Sequence, residues 1–165
     1  MDPLTLEQMS NIGELIGASL IIVSLIYVSR QIAQNNRAQR VTAIQLHNDT
    51  YHKNLVMLAD HSETWVEGLS SFSELSPSKQ VEFAMLIQSV VRHIEHAFMI
   101  KNEGLLSEPT YISALALLSN VMSYPGANDW WDTRKETFDA GFAASLETQM
   151  RKNPKADPYG LRDKE

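Results

Sequence analysis

Cysteine is missing from all 165 residues, which excludes disulfides, thiolate metal sites and thiol nucleophiles. No lysine or arginine precedes Arg30. Neither glycine nor proline occurs between Gly17 and Gly68, so nothing local obliges a helix to stop anywhere in that interval. A glycine-rich phosphate loop, HExxH, GxSxG and a basic-aromatic stripe are absent as well, and with them the usual signatures of nucleotide, zinc, serine-hydrolase and single-strand chemistry. The net charge of -6 opposes binding through phosphate neutralisation. No nucleic-acid partner, no cofactor, no metal and no catalytic residue is expected.

What the chain does contain is a concentrated apolar run, GELIGASLIIVSLIYVSR, from Gly13 to Arg30. Between Ile12 and Val28 the only formal charge is Glu14. As a helix this stretch rises roughly 25 Å, close to a hydrocarbon thickness of roughly 30 Å, with Tyr27 suited to the interface. A secretory signal begins with basic residues and ends at a small-x-small cleavage site. Here the leading MDPLTLEQMS is acidic and the run ends YVSRQI, so a cleaved signal is not expected. A buried helix of a soluble bundle is the alternative, but residues 15 to 28 are apolar or small on every face, which a small bundle seldom covers. Arg30, Arg37 and Arg40 follow the run, so the positive-inside rule puts the N-terminus outside and the larger C-terminal part in the cytoplasm.

Within the run, Gly13 and Gly17 form a GxxxG pair, and Ser24 and Gln31 follow Gly17 at heptad spacing. Small residues on one face let transmembrane helices approach closely. Beyond it, Val41, Ile44, Asn48, Tyr51, Leu55 and Leu58 alternate at spacings of three and four, a seam suited to helix packing. A continuous helix from about residue 6 to about residue 60 would measure about 80 Å; a kink at Asn35-Asn36 is the alternative. Glu14 repeated around an oligomer would form a carboxylate ring at a pore mouth, or would simply complement the positive end of its helix dipole.

Further helices are punctuated clearly. His61 to Leu69 reads as a short helix closed by Gly68. Ser76-Pro77 caps a central helix running to Asn102 and stopping at Gly104, with Phe83, Ala84, Ile87, Val90, Val91, Ile94, Ala97 and Phe98 along its apolar stripe. Ser107-Glu108-Pro109 opens another helix, with Leu115, Leu118, Val121 and Met122 inward, ended by Tyr124-Pro125-Gly126. Asn128-Asp129 caps a last segment from Trp130-Trp131 through Phe138, Phe142 and Leu146. No segment alternates as a strand does. The class is all-α: a long N-terminal helix, transmembrane and continuing into the cytoplasm, plus a small helical bundle. The expected divisions are 1-30 for the span, 31-60 for its extension, 61-152 for the bundle and 153-165 for a loose charged tail.

Three segments together, GELIGASLIIVSLIYVSRQIAQNNRA, VVRHIEHAFMIKNEGLL and YPGANDWWDTRKETF, resemble a widespread group of uncharacterised bacterial proteins with one N-terminal transmembrane helix and a small cytoplasmic helical domain. The resemblance implies topology and no activity. Arg92, Glu95 and Trp130-Trp131 match recurring positions of that pattern; His93 and His96 do not.

Chemistry is sparse. Arg92 and Glu95 are spaced for an ion pair, a surface contact if exposed and a register device between helices if buried. Asp49, His52, His93 and His96 carry ligand types for a bundle metal site, but no Glu-x-x-His element accompanies them. One ring of the Trp130-Trp131 pair is expected to plug the bundle and the other to lie on the surface. The reading that follows is a single-span, homo-oligomeric scaffold, adaptor or sensor without catalysis. Its partners are the lipid bilayer, further copies of itself through Gly13, Gly17, Ser24, Gln31, Val41, Ile44 and Asn48, and an unknown protein. A channel with Glu14 at its mouth and a bundle metalloprotein are the alternatives.

Overall fold

In the computed structural model, residues 5-152 and 157-161 are described. Six α-helices and no strand occur among them: α1 (Leu6–Asp60), α2 (Ser62–Ser70), α3 (Pro77–Asn102), α4 (Glu108–Met122), α5 (Pro125–Arg134) and α6 (Ala140–Lys152). A 3-10 turn, Lys135–Thr137, separates α5 from α6. The chain divides into two compact units, Met1–Val41 and Thr42–Glu165. The helical hydrogen bonding of α1 passes uninterrupted through Asn35-Asn36, as the lack of breakers predicts.

The first unit is helix from Leu6 onward, and its apolar side chains are exposed. Leu15, Leu20, Ile21 and Leu25 are each more than 60% accessible. An 18-residue window with mean hydropathy 2.0 has none of its residues buried.

The second unit is a bundle with one core. Ser76 caps α3 by accepting the Lys79 N–H at 3.5 Å, with Pro77 in the first turn, and Ser107 caps α4 through the Thr110 N–H at 3.3 Å. Gly104 ends α3 at a φ of 71°, where a side chain would be strained. Most of the expected inward residues are buried: Phe83, Ile87, Val91, Ile94 and Ala97 on α3, Leu115, Leu118, Val121 and Met122 on α4, and Phe142 and Leu146 on α6; Ala84, Val90 and Phe98 are half-buried against the same core. On the surface, Lys79 donates to Glu63 at 2.8 Å and Glu67 at 2.9 Å, tying α2 to α3.

Three expectations are corrected. Gly68 does not close α2, which continues to Ser70; it is buried because two backbones and an aromatic ring meet there. A Cβ on Gly68 would lie 2.0 Å from the Phe83 ring, and one on Gly126 would lie 1.9 Å from the Gly68 carbonyl oxygen. Tyr124-Pro125-Gly126 does not merely end α4 but opens α5, with Pro125 in its first turn where a missing N–H costs nothing. The last helical segment is accordingly two helices, and the Asn128-Asp129 cap does not form there because both residues are already helical. Of the expected loose tail, residues 157-161 make contacts at the junction of α4 and α5, and 153-156 and 162-165 lie outside the described residues. The Tyr124 hydroxyl bonds the Asp157 carboxylate and accepts the Tyr159 N–H at 3.0 Å, with the two tyrosine rings stacked 6.0 Å apart.

The Gly68–Gly126 approach leaves no room to yield, since the obstructing atoms are backbone. Gly126→Ala should lower the bundle's stability by about 2–4 kcal/mol, the upper range for overpacking, and Gly13→Ala, with open space around it, should not. Thermal melts of the two full-length variants followed by tryptophan fluorescence decide this.

Candidate functional site

From Thr42 to Asp60, α1 leaves most of its apolar seam uncovered, although Leu58 packs against the core. Val41, Ile44, Tyr51 and Leu55 are all exposed, Val41 by 49%. The side that packs is Ala43, His47, Thr50, Asn54 and Met57, half-buried or buried at spacings of four, three, four and three. Two contacts tie this side to α3. The His47 ring stacks on the His93 ring at 4.4 Å with the planes 18° apart. The Ser89 hydroxyl donates to Asn54 Oδ1 at 3.1 Å.

Between this part of α1, α3, α4 and residues 158-159 runs a groove of about 430 Å³. Its walls are mostly apolar, with Tyr51, Leu55, Val90, Leu117 and Tyr159 among them, and its polar side chains are His47, Asn48, Asn54, His93 and the Trp65 indole. Among the described residues, no lysine, arginine, aspartate or glutamate lines it. His47 Nδ1, His93 Nε2 and Trp65 Nε1 are buried without a hydrogen-bond partner, each a cost of about 1–3 kcal/mol when left unmade.

Burial is also what governs the imidazoles. Desolvation, reinforced by the neighbouring His47 and His96, pushes His93 down to about 4. Desolvation and then His96 lower His47. Both rings are therefore neutral at pH 7, and the stack involves no ionic repulsion there.

The Arg92–Glu95 pair does form, at 2.6 Å, and it is asymmetric: Glu95 is buried and Arg92 is 42% exposed. Glu95 uses its other oxygen to accept the Asp139 N–H at 2.7 Å, while Arg92 donates to the Thr137 carbonyl at 3.0 Å and lies 4.1 Å over the Phe138 ring. Asp139 then caps α6 through the Phe142 N–H at 2.9 Å. The pair thus sets how the chain turns from α5 into α6. Charge-assisted bonds to backbone are the strong kind, which is why a buried carboxylate is tolerated there.

The remaining predicted residues are placed as follows. Gly13, Glu14, Ser24, Gln31, Val41, Ile44 and Asn48 are exposed and Gly17 is partly so, and an added Cβ on Gly13 or Gly17 would meet nothing within 4 Å. Asp49 and His52 line a separate shallow depression on α1 with His61, whereas His93 lies in the bundle and His96 is exposed. The four proposed metal ligands are not brought together, and no group of three or more histidine, aspartate or glutamate side chains among the described residues is arranged to hold a metal. The tryptophan expectation is corrected: Trp130 and Trp131 are both 1% accessible, so neither is a surface anchor. Edge and tilted contacts with Phe138 and Phe142 absorb both rings. His47 and Trp65 went unread as site residues. The signal for His47 was the second, more polar heptad through Ala43, Thr50 and Asn54, which resembles a solvated face.

Two outcomes follow. A histidine whose folded value lies below its unfolded 6.5 lets the unfolded chain bind more protons, so stability rises with pH between about 4 and 6.5 and is flat above. Melting temperature should fall on acidification across that window by the equivalent of up to about 3 kcal/mol, and His93→Phe, which keeps a stacking ring, should flatten the dependence. Glu95→Ala should cost about 3 kcal/mol by stranding the Asp139 N–H and Arg92, with exchange protection lost first at the start of α6 in hydrogen-exchange mass spectrometry. No family model, curated protein or solved structure matches the chain.

Proposed function

We propose that the protein is a single-span membrane protein that pairs with further copies through α1 and presents its helical bundle in the cytoplasm as a scaffold, adaptor or sensor. One observation carries the reading: α1 is long and apolar enough to cross a bilayer, and none of its most apolar window is buried. In water that window would be a contiguous apolar surface far larger than a monomer tolerates. Lipid removes the cost, at about 25 cal/mol per Å² of apolar surface.

Self-association rests on the same helix. Apolar side chains gain little in lipid by choosing each other over acyl chains, so close backbone approach must supply the attraction. Gly13 and Gly17 have free space where a second helix would lie, and Ser24 and Gln31 are exposed and polar. The exposed Val41, Ile44 and Asn48 offer a further contact outside the hydrocarbon. The inward orientation of the bundle rests on Arg30, Arg37 and Arg40.

Alkaline carbonate extraction of cell membranes should leave the full chain in the pellet; recovery in the supernatant as a soluble monomer overturns the assignment. The absence of native cysteine allows sidedness to be read directly. Ser10→Cys should react with an impermeant maleimide in intact spheroplasts, and Ser113→Cys only after lysis. Native mass spectrometry in mild detergent should show an oligomer that Gly17→Leu shifts at least tenfold toward monomer, and a strict monomer indifferent to that change removes the pairing.

A further inference from the structure

We infer that the groove between α1, α3 and α4 is a binding site for an uncharged, largely apolar small molecule carrying a hydroxyl, ketone or amide group. All of its residues lie in the unit from Thr42 onward, so the inference goes beyond the membrane reading and does not depend on it. Asn48 is the one residue shared with the proposed self-association face.

Four observations converge. The volume, about 430 Å³, is that of a small-molecule site, which is typically concave, mostly apolar and equipped with a few polar groups. Among the described residues the wall has no charged side chain, so an ionic ligand would lose its hydration and find no counter-charge there. Both imidazoles resist protonation, so neither supplies a cation. Finally, three buried nitrogens without partners, on His47, His93 and Trp65, belong to this one groove. Natural cores seldom leave such groups unmet, and each calls for a reason.

A polar group on a bound molecule would supply that reason. A neutral imidazole offers one donor and one acceptor, and the indole one donor; a hydroxyl, ketone or amide satisfies this mixed set, whereas a hydrocarbon does not. The nitrogens are shielded from water, so the ligand's polar end reaches them as the rings turn about χ2, a torsion with broad wells. Leu117, 56% exposed at the rim, leaves the apolar end accessible.

The probe is 4-(hydroxymethyl)benzophenone, neutral, apolar and bearing one hydroxyl and one ketone, with anionic 4-benzoylbenzoate as its counterpart. Full-length protein in lipid nanodiscs is irradiated with each and the adducts are mapped by peptide mass spectrometry. Saturable labelling of peptides holding Tyr51, Leu55 and Leu117 is expected, at least tenfold weaker for the anion. Ala114→Trp, which fills the groove, should reduce it at least tenfold; so should Leu117→Glu, whose exposed position spares folding. Trp65→Phe should weaken half-saturation several-fold, and the Trp65 indole ¹⁵N–H resonance should shift on titration. Labelling confined to the α1 segment 12-28 and unchanged by these substitutions overturns the assignment. So does absent groove labelling with a Leu117→Glu chain that loses oligomer in native mass spectrometry, since the groove would then be a contact between copies.

Discussion

The stack of His47 on His93 is the contact on which the attachment of α1 to the bundle depends. It joins the end of α1 to the central helix through two flat, neutral rings. Because the packed side of α1 is Ala43, His47, Thr50 and Asn54, the apolar side has to face elsewhere. The groove is the geometric result: one wall is the apolar side of α1, the other the exposed face of α4, and the stacked histidines lie between them. Desolvation keeps those histidines uncharged, so the same burial that forms the contact also gives the groove its neutrality.

The rest of the bundle rests on two further constraints of different kinds. One is steric: α2 and α5 approach until a Cβ on Gly126 would lie 1.9 Å from the Gly68 carbonyl oxygen, which leaves room for glycine at position 126. The other is electrostatic. Glu95 is buried among apolar side chains, yet Arg92 and the Asp139 N–H occupy both of its oxygens, and the pair places the turn before α6 where Asp139 can cap it. A buried ion pair contributes little net stability over an apolar substitute, but a carboxylate bridging an arginine and a backbone amide in a neighbouring turn admits one register. The two tryptophans then fill the space that this register creates.

Function divides along the same lines. The first unit offers a helix long and apolar enough to cross a membrane, with none of its most apolar window buried. The second offers a defined concavity with polar groups in want of partners.

Helical class, the length of α1, the Ser76 and Ser107 caps, the Gly104 stop and the apolar stripes of α3 and α4 were legible in the residues alone, because each depends on neighbours within about four positions. So was the spacing of Arg92 and Glu95. Which face of α1 meets the bundle was not, since periodicity reports that a face is apolar and not what it touches; here the more polar heptad packs and the apolar one stays open. The sequence by itself determined what each segment becomes. Only the tertiary structure decided that His47 meets His93, that Gly68 meets Gly126 and that Glu95 reaches Asp139, because those contacts join residues tens of positions apart, where pairing depends on shape in three dimensions and not on spacing along the chain.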